Sequence, residues 1–238
     1  YYSQLKSLSN SIKENKIYFK ECILYLNHPL VKNILQLINN NEIGKVLEIN
    51  SQYGFKFNKK KFIFFLKKKI KNLFLKELGG GAIYNFATYP LSSAIIFSGT
   101  ETYPEISNLK ALAKFENGVD AKSKSEILFS NNIKSELTVS LVDNLKSKIE
   151  IKGEKGMIYV ENPWLPEKNY EIYLIKDKIK KSFKFEETEK LWDLQKKIIL
   201  HDLLSGRTDP SVRGTELNAS LKYLKFIDTW KNNINLNN

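Results

Sequence analysis

The sequence predicts an α+β fold: one large, mostly antiparallel sheet with helices packed on one of its faces. Three observations predict it. Strand-length segments follow one another from Leu109 to Phe185, divided by turn signals such as Asn117-Gly118, Asn131-Asn132 and Gly153-Glu154-Lys155-Gly156. Segments with helical spacing of apolar residues stand before and after them. With 238 residues and 42% hydrophobic content, the chain can bury a full core as one large domain or two small ones.

Taken in order, Ser3 to Glu14 predicts a helix with Leu5, Leu8 and Ile12 inward, and Lys16 to Tyr25 predicts a strand. A helix from Leu30 to Ile38 follows His28-Pro29, with Val31, Ile34, Leu35 and Ile38 inward. Gly44 turns the chain into a strand, Lys45 to Phe55, whose alternation of side chains is imperfect. Ala82 to Phe97 is an apolar run of helical length opened by three glycines. Strands are expected at 109–115, 120–129, 133–141, 146–152, 157–160, 171–175 and 180–185. Leu191 to Leu204 and Thr215 to Trp230 predict the closing helices, and 232–238 a frayed end.

Composition removes several classes of function. One cysteine, Cys22, excludes a disulfide framework and fits a reducing, cytoplasmic setting. No apolar run reaches the length of a membrane span. Two histidines and one cysteine make no metal-ligand set, and no Ser-His-Asp or Cys-His arrangement is readable. The net charge of +12 permits anionic partners, but lysine is spread along the chain rather than gathered, so neither nucleic acid nor membrane is expected. The most concentrated stretch, Lys59 to Lys71, interleaves basic and aromatic residues. It reads as an anion-binding patch or, preferably, as a lysine-rich loop that packs its aromatics down.

The stretch Leu78-Gly79-Gly80-Gly81-Ala82-Ile83-Tyr84-Asn85-Phe86-Ala87-Thr88-Tyr89-Pro90 is where chemistry concentrates. A glycine turn opening a helix leaves backbone N–H groups free for a polar ligand. Asn85 and Tyr89, four apart, share a helix face among apolar neighbours. Such a pair is either satisfied internally or faces a cleft. Tyr89 can exchange a proton with a substrate oxygen if a nearby lysine lowers its pKa. Asn85 can orient a hydroxyl but cannot act as a base.

This stretch closely resembles the signature of the Gfo/Idh/MocA oxidoreductases, the family of glucose–fructose oxidoreductase, inositol dehydrogenase and dihydrodiol dehydrogenase. Three further segments are collinear with it: Glu21 to Pro29, Asn41-Glu42-Ile43-Gly44-Lys45-Val46, and Ile149-Glu150-Ile151-Lys152-Gly153 through Gly156 to Ile158. The resemblance implies that residues 28–238 are the substrate-binding and dimerisation domain, preceded at 1–27 by the last helix and strand of a Rossmann domain. It also implies an NAD- or NADP-dependent oxidoreductase acting on the CH–OH group of a sugar, cyclitol or similar polyol, by hydride transfer. The family's proton-handling positions fall on Asn85 and Tyr89. Its cleft-lining segment makes Tyr25, Asn27 and His28 substrate-side candidates, although His28 alone reads as a surface histidine at a helix start. The open sheet face serves as a dimer surface in many members, so a homodimer or larger assembly is expected.

The chain departs from the family at two points in the signature: Asn85 stands where an acid is usual, and Ala87 where glycine is common. It has no Gly-x-Gly-x-x-Gly fingerprint and no Glu-Lys-Pro. It opens on Tyr1-Tyr2 without methionine, and the resemblance places both missing motifs upstream. The alternative reading is a non-catalytic ligand-binding or oligomerisation module derived from such an enzyme.

Overall fold

A nine-stranded sheet carries the molecule, in the order β8-β7-β6-β5-β1-β4-β3-β2-β9. The computed structural model describes residues 2–57, 72–98 and 102–235. Its helices are α1 (Tyr2–Glu14), α2 (Pro29–Asn39), α3 (Ala82–Phe86), α4 (Thr88–Ile96), α5 (Leu191–Leu204) and α6 (Leu217–Asn232). The strands are β1 (Val46–Gly54), β2 (Ile106–Glu116), β3 (Val119–Phe129), β4 (Lys134–Ser140), β5 (Lys148–Gly153), β6 (Met157–Glu161), β7 (Asn169–Lys176), β8 (Ile179–Glu186) and β9 (Ile234–Asn235). All ladders are antiparallel except β1 with β4 and β2 with β9. The Lys59 to Lys71 stretch and residues 236–238 lie outside the described residues.

The hairpins follow from their turn residues. Asn117 and Gly118 take φ of 51° and 76°, the left-handed pair that matches the twist of two antiparallel strands. Asp177 and Lys178 do the same between β7 and β8. In β1, Ile49, Ser51 and Tyr53 point into the core while Glu48, Asn50 and Gln52 point out. The imperfect alternation has a cause: the β1–β5 register shifts between Val46 and Glu48, so Val46 turns inward and Leu47 outward.

One face of the sheet is covered. Ile49 and Tyr53 of β1, Ala121 and Ile127 of β3, Leu137 and Val139 of β4, Ile149 and Ile151 of β5 and Ile172 of β7 form a single cluster with α2, α3, α4 and α6. The other face is polar, with ion pairs between neighbouring strands such as Lys124–Glu136 at 2.8 Å and Lys152–Glu48 at 3.2 Å.

Four sequence expectations are corrected. Lys16 to Tyr25 is no strand: residues 17–23 have no regular structure and join no ladder among the described residues, and Leu24–Asn27 is a 3-10 turn. Ala82 to Phe97 is two helices, because Pro90 has no N–H to give the Phe86 carbonyl and the rod breaks at Ala87. Residues 232–235 are not frayed: β9 pairs with β2 through Ala111 and Leu112. Leu8, placed inward by periodicity, is exposed.

Candidate functional site

The triglycine turn is held from both sides. Gly80 N–H donates to Leu75 O and Gly81 N–H to Leu73 O, both at 2.9 Å. A Cβ on Gly80 would lie 2.7 Å from two backbone oxygens, so only glycine fits there. Gly81 has φ +120°, and a Cβ there would sit 2.5 Å from Asp120 Oδ1. The carboxylate of Asp120, 1% exposed, accepts from Ile83 N–H at 2.7 Å and from Lys231 Nζ at 3.0 Å. This corrects the expectation of an open helix N-terminus. The turn does present a helix start, but Asp120 supplies the anion from β3. The sequence carried no signal for this, since Asp120 is 37 positions from Ile83 and sits in a strand.

Asn85 folds back on the same turn, its Nδ2 donating to Gly81 O at 2.7 Å. Its carbonyl oxygen is the group left to meet a substrate. Tyr89 starts the second helix and is half-buried. Among the described residues its hydroxyl makes no hydrogen bond, while burial raises its pKa above that of a free phenol. Among the described residues no lysine offsets that shift. The phenol keeps its proton at neutral pH and is a donor.

Around Tyr89 stands an aromatic wall that the sequence reading missed. Tyr53 lies 5.1 Å from Tyr89 and 4.9 Å from Phe86 between ring centres, and Trp164 lies 6.1 Å from Tyr89. Phe57 stacks on Phe86 at 6.3 Å. Trp164 is fixed by donating from Nε1 to Gln52 O at 3.0 Å. Burial pushes the Tyr53 pKa up to about 12, with Tyr89 adding to it. The i, i+2 spacing of Tyr53, Phe55 and Phe57 was the available signal; Trp164, in a loop between two prolines, gave none.

The second group of candidates is spent on the scaffold. Tyr25 touches Tyr89, with ring centres 6.2 Å apart, but it is fully buried and its hydroxyl pairs with Ser92 Oγ at 2.8 Å. Ser92 in turn donates to Tyr89 O at 3.0 Å, which makes Tyr25 the donor to Ser92. Asn27 is buried, its Nδ2 shared among Ile23 O, Leu24 O and Gln195 Oε1. His28, 3% exposed, caps α2 by accepting from Leu30 N–H at Nδ1 and packs edge-on against Tyr170. Burial lowers its pKa to about 4, so it is neutral. In this structure Tyr25, Asn27 and His28 are all buried and hydrogen-bonded within the domain. The helix start at His28 is as read, the surface exposure is not. Of the five candidates, the fold brings Tyr25 and Tyr89 together, aims Asn85 at the turn, and sends Asn27 and His28 toward α5 and β7.

Among the described residues no group of His, Cys, Asp and Glu is arranged to hold a metal, and no helix is long and apolar enough to cross a membrane.

Residues 31–159 match the family model of the GFO/IDH/MocA C-terminal domain. An uncharacterized oxidoreductase of Rhizobium meliloti is 26% identical over 151 residues, 62% of this chain and 41% of that protein. A trans-1,2-dihydrobenzene-1,2-diol dehydrogenase of Xenopus tropicalis is 24% identical over 166 residues, 69% of this chain and 46% of that protein. The chain therefore spans less than half the length of these relatives. In fold it is similar to a 3-ketoreductase from Actinomadura kijaniata, crystallised with NADP and TDP-benzene, at a TM-score of 0.81 and 15% identity over 98% of this chain and 67% of that one. With the family model spanning more than half of its length and its sheet built as described, the chain belongs to the Gfo/Idh/MocA family, as its C-terminal α+β domain.

Proposed function

We propose that residues 28–238 form the substrate-binding half of an NAD(P)-dependent oxidoreductase acting on the CH–OH group of a sugar, cyclitol or similar polyol. Residues 1–27 then belong to the end of its dinucleotide-binding domain. The observation that carries the reading is Tyr89: a half-buried, protonated phenol with no hydrogen-bond partner among the described residues, set in an aromatic wall at the family's proton-handling position. Buried phenols normally find a partner. A substrate oxygen within reach would supply it and take up its proton. Asn85 is a positioning group in this reading, offering its carbonyl oxygen to a substrate hydroxyl.

The described residues do not fit a nicotinamide dinucleotide. The helix start opened by Gly79-Gly80-Gly81 is filled by the Asp120 carboxylate, which repels a pyrophosphate. Cofactor dependence rests on the family, and cofactor binding is assigned to the other domain. Two features support a neighbouring domain beside residues 1–27. Residues 17–23 have no regular structure and join no ladder among the described residues, though Tyr18 OH donates to Asp202 Oδ2 of α5 at 2.9 Å. On α5 itself, Trp192 and Leu204 are 60% and 81% exposed. A second copy is proposed on the open sheet face, where alternating lysine and glutamate can pair across a two-fold axis.

A specific observation favours the second reading, a non-catalytic ligand-binding or oligomerisation module: Asn85 replaces an acid and spends its donors on the turn. Calorimetric titration of the 238-residue chain tests the first. Myo-inositol should bind, and Tyr89→Phe should weaken it about fivefold, the worth of one hydrogen bond; equal affinity removes Tyr89 from the site. NADPH should not bind, and submillimolar affinity would overturn the assignment of the cofactor to another domain.

A further inference from the structure

We infer that Asp120 and Lys231 are positioning residues for this site: a buried carboxylate on β3, held by the last turn of α6, fixes the start of the helix that carries Asn85 and leads to Tyr89. The inference rests on the proposed function for what is positioned, and on geometry for the clamp.

Three contacts meet at Asp120. Its Oδ2 accepts from Ile83 N–H at 2.7 Å, its Oδ1 accepts from Lys231 Nζ at 3.0 Å, and it fills the space a Cβ on Gly81 would need. A carboxylate with 1% exposure is stable only when paired and hydrogen-bonded, and both conditions are met. α3 has five residues, far too few to hold a helix by itself. Its orientation must come from outside, and Asp120 is the side chain that reaches its first turn. Lys231 is also held in place. Its Nζ lies 3.9 Å over the Tyr84 ring, next to Asn85, and the chain just beyond it joins β2 as β9. Sheet, closing helix and site helix are thus tied through one carboxylate, and the far C-terminal end of the fold sets the entry angle of α3. Asn85 completes the arrangement by closing on Gly81 O.

The test is hydrogen exchange on the full chain with Asp120→Ala, Asp120→Asn and Lys231→Met. Asparagine keeps an acceptor for Ile83 N–H and alanine does not. In Asp120→Ala, exchange in the segment 79–89 should quicken about tenfold or more while β5 to β7 stay unchanged, and Asp120→Asn should restore most of the protection. Lys231→Met should show a smaller effect in the same segment. The 13Cζ signal of Tyr89 should move in Asp120→Ala and return in Asp120→Asn. Faster exchange throughout the sheet, no change at 79–89, or an unmoved Tyr89 signal would each overturn the inference. If Asp120→Ala does not fold, Lys231→Met decides by the same two readouts. None of these readouts depends on turnover or on substrate, so the clamp and the oxidoreductase reading fail separately.

Discussion

Two segments of this chain carry polar residues that the sequence offers to a substrate, and the fold treats them in opposite ways. In the segment 25–28 the hydroxyl of Tyr25 is paired with Ser92, the amide nitrogen of Asn27 with two carbonyls and Gln195, and Nδ1 of His28 with the Leu30 amide, while the buried Asn27 Oδ1 has no partner among the described residues. In the helix pair 82–96, Asn85 gives its Nδ2 to the turn, and among the described residues the Tyr89 hydroxyl has no hydrogen-bond partner. Both segments pack against the same aromatic cluster, and their phenols are neighbours. The difference lies in the partners. A buried hydroxyl with an internal partner is scaffold, and one without is a place where a ligand gains a hydrogen bond at little cost.

The largest expected effect breaks the turn on which the second segment depends. Gly80→Ala drives a Cβ into the Leu73 and Leu75 backbone at 2.7 Å, and backbone cannot swing aside as a side chain can. A loss of about 3 kcal/mol or more is expected in urea unfolding, at the upper end of single substitutions.

Next, pH sharpens the contrast from the scaffold side. His28 has a folded pKa near 4, below the ordinary histidine value, so its neutral form is the one the fold favours. The unfolded chain therefore binds the extra proton first as pH falls. The His28 contribution is complete above pH 6.5 and is lost on acidification toward pH 4, by up to about 3 kcal/mol. His28→Asn keeps a capping side chain and should flatten that part of the stability–pH curve, measured by thermal melts at a series of pH values.

The smaller pair of effects compares the two phenols directly. Tyr89→Phe should leave stability within about 0.5 kcal/mol, because it breaks no hydrogen bond among the described residues, yet lower turnover of the assembled enzyme about tenfold or more. Tyr25→Phe should do the reverse, costing about 1 kcal/mol in unfolding with little effect on ligand affinity. A Tyr25→Phe variant that is stable but weak in binding would move the site to the first segment.

Much of this fold was legible because local chemistry and global packing agree. Asn117-Gly118 announces its hairpin, and it forms with the two positive φ values the motif requires. α5 runs over the residues its spacing marks, Leu191 to Leu204. Legibility ended where a distant partner decides. Lys16 to Tyr25 has the composition of a strand, but a strand needs a neighbouring strand, and here Glu21 N–H donates to Thr215 O at 2.7 Å with no ladder among the described residues. Trp164 and Asp120 are invisible as site residues for the same reason, since their roles arise from partners 112 and 37 positions away. The resemblance pointed to Tyr89, which lies in the first turn of α4, and the hydrogen-bond partners among the described residues set it apart from Tyr25.

The account stands on Tyr89 being the phenol that a ligand meets. The most direct measurement is a titration of 13Cζ-tyrosine-labelled chain with myo-inositol, followed by NMR with Tyr25→Phe and Tyr89→Phe used for assignment. The Tyr89 signal should shift with saturation while the Tyr25 signal stays fixed. A shift at Tyr25 with Tyr89 unmoved would contradict it.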